Sequence, residues 1–225
     1  MDVREVRGRL GGREAAWIAP PEPVAWLVLG HGAGAGMDHP LLVGFCRAMT
    51  DHGVATVRFQ FPYMEAGRRA PDPEPYLRAA WIEVFAAAMA MAEGLPVFGG
   101  GKSLGGRIAS LCVADDGMPA RGLVFLGYPL HPPANPERVR AEHLERIGVP
   151  MLFVQGTRDP FARSDLLERV LARLGDLATC VPIEGGDHSF NVPGVREAPG
   201  EIGARLAEHA GPWVRRIAAS TPEAH

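Results

Sequence analysis

Cysteine is scarce: Cys46, Cys112 and Cys180 are the only three, widely spaced and odd in number. That excludes a disulfide-stapled secreted scaffold and points to buried thiols in a reducing compartment. Long apolar runs are missing too, none approaching the roughly 18 residues that a membrane-spanning helix requires. The opening MDVREVRGRL is charged and lacks the apolar core of a secretory leader. Basic runs never exceed a pair (Arg68-Arg69, Arg215-Arg216), and the formal net charge is −3. Neither a nucleic-acid surface nor an anionic-membrane surface is therefore expected. No cluster of ligand-type residues has metal-binding spacing, so no metal or organic cofactor is expected. Internal repeats and low-complexity linkers are likewise absent. A chain of 225 residues suits one domain over 1–225 with a substantial core, and a cytoplasmic location is expected.

What is present is an alternation. Val3 to Ala19 interleaves charged and apolar residues around Gly11-Gly12, the signature of an antiparallel hairpin. Val24 to Leu29 is a continuous apolar run and reads as a strand covered on both faces. Further strands are expected at Val54 to Phe59, Leu95 to Phe98, Gly122 to Gly127, Pro150 to Gln155 and Ala178 to Ile183. Helical patterns lie between them, at about 40–52, 76–93, 104–114, 136–147, 164–174 and 199–218. Such alternation argues for an α/β fold, a three-layer α/β/α sandwich on a mostly parallel twisted sheet. In these sheets ligands bind beyond the carboxyl ends of the strands.

The stretch LPVFGGGKSLGGR, Leu95 to Arg107, is the most informative. It reads as a strand that breaks at Gly99 and enters a helix through Gly101-Lys102-Ser103-Leu104-Gly105. This G-x-S-x-G pattern would hold Ser103 on a strained turn, with Gly101 and Gly105 removing side chains that would collide and Gly106 letting the helix pack close. The hydroxyl would also lie at a helix amino terminus, which favours a developing anion. Two plainer readings compete: a simple glycine-rich turn, and a phosphate loop. The phosphate loop requires glycine five residues before Gly101, where Pro96 stands inside the strand, and this speaks against nucleotide hydrolysis.

Two further loops follow strand ends: Gly156-Thr157-Arg158-Asp159 and Gly186-Asp187-His188-Ser189-Phe190. Ser103, Asp159 and His188 thus occur in the order Ser…Asp…His, each just past a strand. A serine hydroxyl needs a base to take its proton, and the base needs an acid to orient it. On these residues the chain resembles the α/β-hydrolase superfamily over nearly its whole length. It looks closest to the small, lidless dienelactone-hydrolase-like branch. Dienelactone hydrolases proper carry a cysteine at the elbow, where this chain has Ser103.

The resemblance implies a serine hydrolase acting on an ester or thioester of a small-molecule acyl substrate. Ser103 would be the nucleophile, His188 the base and Asp159 the acid, with the adjacent Asp187 as rival acid. The oxyanion hole would use Leu104 N–H and a donor from His31-Gly-Ala-Gly, which is similar to the H-G-G-G loop of esterases: Ala33 first, Gly34 second. His31 reads as a loop-fixing group or a substrate contact. Tyr63, Met64, Arg68 and Arg69 follow one strand end, Tyr128 and Leu130 another, and both groups are candidates to line the pocket. Lys102 reads as a solvated or ion-paired neighbour, Arg107 as bonded to a nearby loop, and the remaining histidines (His39, His52, His131, His143, His209, His225) as surface residues. Only about twenty residues separate Gly127 from Pro150, too few for a lid domain, so an open cleft is expected. A catalytically silent domain that uses the same fold for binding is the alternative.

Overall fold

The computed structural model describes residues 3–221. Among these residues eight strands form one sheet, in the order β1 (Val6–Leu10), β2 (Arg13–Ile18), β4 (Val54–Phe59), β3 (Ala25–Gly30), β5 (Val97–Lys102), β6 (Leu123–Leu126), β7 (Met151–Gly156) and β8 (Ala178–Ile183). The strands β1 (Val6–Leu10) and β2 (Arg13–Ile18) are the expected hairpin, turning through Gly11 and Gly12 at positive φ. β2 pairs antiparallel with β4 (Val54–Phe59), and every later pairing is parallel. β3 (Ala25–Gly30), β4, β6 (Leu123–Leu126) and β7 (Met151–Gly156) are buried along their full length. That is why these segments read as unbroken apolar runs rather than alternating ones. β8 (Ala178–Ile183) closes the edge.

Helices cover both faces and divide the core in two. On one side α3 (Glu74–Met91), α4 (Leu104–Asp116) and α5 (Ser164–Leu174) pack on side chains such as Val28, Phe59, Phe125 and Phe153. On the other, α1 (Pro40–Met49) and α6 (Pro199–Ala219) cover Leu27, Leu29, Phe98 and Val154. These two helices meet backbone to backbone. A Cβ on Gly203 would lie 2.0 Å from Leu41 O, and one on Gly44 would lie 2.1 Å from Gly200 O. Among the described residues no helix is long and apolar enough to cross a membrane.

Several expectations need correction. β5 runs Val97–Lys102, through the three glycines instead of breaking at Gly99, because β3 and β6 hydrogen-bond it from both sides. The Pro-rich segment after β4 holds one short helix, α2 (Pro62–Glu65). The helix expected over 136–147 is reduced to a 3-10 turn at Glu142–Arg146. Prolines 132, 133 and 136 break the segment, and Arg140 N–H is taken by Leu130 O.

The same segment corrects two histidines expected at the surface. His131 is buried, and its Nε2 accepts the Arg163 N–H at 3.0 Å. His143 is buried against α4, with Nε2 2.8 Å from Ser110 Oγ and 3.2 Å from Tyr128 Oη. His209 is exposed and His39 and His52 are half-buried, while His225 lies outside the described residues.

Burial, reinforced by the nearby Arg107 cation, pulls the His143 pKa down from 6.5 to about 4. The unfolded chain then binds the extra proton first. Stability is therefore full above about pH 6.5 and declines as pH falls toward about 4. At pH 5 the loss from this residue is about 2 kcal/mol. Urea midpoints measured at pH 7 and pH 5 should drop for the parent chain and drop less for His143→Gln; equal drops would contradict the assignment.

Candidate functional site

The site begins with a strained residue. Ser103, between β5 and α4, has φ 50° and ψ −113°, a conformation that L residues rarely adopt and that costs about 1–3 kcal/mol. The surrounding backbone imposes it. A Cβ on Gly101 would stand 2.1 Å from Gly30 O, and one on Gly105 would also stand 2.1 Å from Gly30 O. A Cβ on Gly106 would meet Gly101 O at 2.8 Å. β3, β5 and the first turn of α4 can therefore touch only where three glycines face one another. Trp81 Nε1–H donates to Gly105 O at 3.2 Å and fixes the helix from the α3 side.

From this turn Ser103 Oγ meets His188 Nε2 at 2.9 Å, and His188 Nδ1 meets Asp159 Oδ2 at 2.7 Å. Asp159, its side chain fully shielded from solvent, also accepts Gln155 Nε2–H at 2.6 Å on Oδ2 and Phe161 N–H at 2.8 Å on Oδ1. A buried carboxylate costs several kcal/mol unless its oxygens are satisfied, and here both are. Asp187 turns away. Its carboxylate caps its own loop, accepting Ser189 N–H at 2.7 Å and Asn191 N–H at 3.0 Å. The Phe161 ring packs 4.3 Å from the imidazole, centre to centre.

Gln155 has no counterpart in the sequence reading. Its one signal was a polar residue ending the buried run Met151–Gly156. It joins two loops, since its Oε1 also accepts Tyr128 N–H at 2.8 Å.

On the other side of Ser103 lies the loop after β3. His31 is buried beneath it, with Nδ1–H donating to Gly32 O at 2.8 Å and Nε2 accepting Phe61 N–H at 3.1 Å. Burial lowers its pKa to about 4, so the ring is neutral and pins the loop. Gly34 N–H is directed to Tyr63 Oη at 3.4 Å. Leu104 opens α4, where N–H groups have no intrahelical partner.

A cleft of about 260 Å³ adjoins Ser103, bounded by Gly32, Ala33, Leu41, Leu42, Phe161 and His188. Leu41 and Leu42 start α1, so the cleft opens on the α1 face. None of Tyr63, Met64, Arg68, Arg69, Tyr128 or Leu130 lines it. Tyr63 is buried behind the loop, Arg68 pairs with Asp72 at 2.6 Å, and Tyr128 packs between Phe125 and Phe153. Leu130 is enclosed in the core on the α4 side.

A family model for the alpha/beta hydrolase domain matches residues 23–208. The chain belongs to the alpha/beta hydrolase family. This alpha/beta hydrolase domain is similar to the Thermus thermophilus protein TT1662, with a TM-score of 0.75 at 21% identity over 98% of this chain and 100% of that one. It is similar to a dienelactone hydrolase from Anabaena variabilis, with a TM-score of 0.74 at 19% identity over 96% and 99%. It also resembles XC6422 from Xanthomonas campestris, described as an α/β serine hydrolase without a lid, with a TM-score of 0.73 at 18% identity over 99% of each chain. Identities this low establish a shared fold.

The close approach at Gly30 makes a direct prediction. A helical Gly→Ala change ordinarily stabilises by about 1 kcal/mol. Gly105→Ala should instead destabilise by about 3 kcal/mol, because its Cβ overlaps Gly30 O. Thermal or urea unfolding measures the sign, and a stabilised variant would contradict the packing.

Proposed function

We propose that this chain is a serine hydrolase that cleaves an ester or thioester of a small acyl substrate. The observation that carries the reading is the continuous hydrogen-bonded chain from Ser103 through His188 to Asp159. Its three members come from turns after β5, β7 and β8.

The chemistry follows from the geometry. Asp159 holds Nδ1–H, which leaves Nε2 unprotonated and aimed at the Ser103 hydroxyl. As Ser103 Oγ bonds to the acyl carbon, its proton passes to Nε2. The C=O electron pair moves to the oxygen, which becomes an oxyanion. Leu104 N–H at the start of α4 and Ala33 N–H would be its donors. Gly34 is the weaker candidate because its N–H already points to Tyr63. Each such donor is worth about 3 kcal/mol to the transition state. Collapse expels the alcohol or thiol, which takes the proton from Nε2 and leaves an acyl-Ser103 ester. Water, deprotonated by the same nitrogen, then releases the acid.

A cleft of about 260 Å³ walled by Leu41, Leu42 and Phe161 suits a short acyl chain. A panel of 4-nitrophenyl esters of graded chain length should show turnover that favours short acyl groups, with a rapid initial burst of nitrophenolate. Ser103→Ala and His188→Ala should each lower kcat by about 10⁴-fold or more, and the double variant should be no worse than the singles. Full turnover in folded Ser103→Ala overturns the proposal. A folded parent chain inert toward every ester, thioester and amide tested would favour the silent binding domain.

A further inference from the structure

Lys102 is the single lysine among 23 Lys and Arg residues. It stands one position before Ser103, and its half-buried side chain borders the same cleft as Ser103, Leu41, Leu42 and Phe161. Among the described residues its ammonium forms no ion pair and no side-chain hydrogen bond. It keeps contact with solvent, since Nζ is not among the described atoms that are both unpartnered and shut off from water, such as Arg107 Nε. Gly127, at φ 68°, helps to leave it uncovered: a Cβ there would come within 3.2 Å of Nζ. Of the two readings open from the sequence, solvated or ion-paired, the first holds, and the cleft is the open space beside the side chain.

The rest of the cleft wall has the same electrical character. No Asp or Glu borders it. The two carboxylates that attract Lys102, Asp159 and Asp187, are both engaged elsewhere. Asp159 is held by His188, Gln155 and Phe161 N–H, and Asp187 by Ser189 and Asn191. His39 also borders the cleft, and its Nδ1 accepts Leu41 N–H at 3.3 Å. The proton of the neutral ring therefore lies on Nε2, which is a donor. Leu41 and Leu42 bring the first turn of α1, the positive end of its dipole, to the wall. Burial lowers the Lys102 pKa to about 8, which leaves the amine cationic at neutral pH. A half-buried cation without a partner costs free energy that a bound anion would offset.

We propose that Lys102 is a specificity-determining residue for an anionic substrate, a short acyl chain whose far end carries a carboxylate that accepts hydrogen bonds from the Lys102 ammonium. The proposal rests on the hydrolase reading and names its substrate class. One compact ammonium suits a monoanion, whereas a phosphate group is better matched by the fork of an arginine. A cleft of about 260 Å³ holds few carbons between the two ends, and Leu41, Leu42 and Phe161 would pack on them. A half-ester of a short dicarboxylic acid is the simplest such molecule. Its ester carbonyl carbon bonds to Ser103 Oγ as described above, while the terminal carboxylate stays ionised and unreacted. Release by water gives the alcohol and a dicarboxylate.

Ethyl hydrogen glutarate and its uncharged isostere ethyl 4-carbamoylbutanoate differ only in the terminal group. In the parent chain kcat/KM for the first should exceed that for the second by about 30-fold, with the difference carried by KM. In Lys102→Gln the ratio should fall to about one. Raising NaCl from about 0.02 M to about 0.5 M should shrink the ratio of the parent and not that of the variant. A ratio taken within each protein removes any general loss of activity. A parent ratio of one or below overturns the proposal, as does a raised ratio that Lys102→Gln leaves intact. Lys102→Met repeats the comparison if the Gln variant does not fold. Should neither ester turn over, calorimetric titration with ethyl hydrogen glutarate decides the matter. Binding that Lys102→Gln abolishes upholds the anion site, and no binding, or binding that the variant keeps, overturns it. Inertness toward 4-nitrophenyl esters as well counts against the hydrolase reading alone.

Discussion

The contact on which the site depends is made by backbone alone: Gly30 at the end of β3 pressed between Gly101 of β5 and Gly105 of α4. Three elements converge there with no side chain between them, and the chain from β5 into α4 has room for only one path. That path forces Ser103 into a left-handed conformation, φ 50°, that a serine would not choose. The strain is small beside the packing that imposes it. Buried strands on both sides and the Trp81–Gly105 hydrogen bond over-determine the turn. The result is a hydroxyl lifted above the sheet edge at a helix amino terminus.

The rest of the site is a problem of burying charge. Asp159 is enclosed, so its oxygens need donors, and Gln155, Phe161 N–H and His188 supply them. Gln155 performs two tasks, holding the carboxylate and the start of the loop after β6. Any shift of that loop would be felt at His188 through two intervening side chains, Gln155 and Asp159. His31 plays the matching part on the other flank. It is neutral because it is buried, and bonded at both nitrogens it keeps the loop bearing Ala33 against the sheet. One arrangement of fixed polar groups thus flanks Ser103 on each side, as preorganised electrostatic stabilisation demands.

Much of this was legible in the residues, and the reasons are physical. Unbroken apolar runs report strands buried on both faces, so the parallel sheet followed from Val24 to Leu29 and its counterparts. Glycines at fixed offsets from Ser103 report a close approach, and the order Ser103, Asp159, His188 placed the polar loops on one sheet edge. Local pattern failed where tertiary contacts decide. Gly99–Gly101 looked like a strand break, but flanking ladders hold them in β5. His131 and His143 looked like surface residues because nothing in their neighbourhood shows that α4 and the loop after β7 close over them. The pocket candidates Tyr63, Tyr128 and Leu130 follow strand ends correctly but turn into the core. The cleft instead uses Leu41 and Leu42 of α1, a helix whose position depends on its backbone contact with α6.

The most direct test of the central claim, that this strained turn presents Ser103 as a nucleophile to His188, is a crystal structure after exposure to a fluorophosphonate. The account predicts phosphorus bonded to Ser103 Oγ. The phosphoryl oxygen should lie about 3 Å from the N–H groups of Leu104 and Ala33, with His188 Nε2 beside the remaining oxygens. An unmodified Ser103 after saturating exposure, or an adduct at another residue, would contradict it.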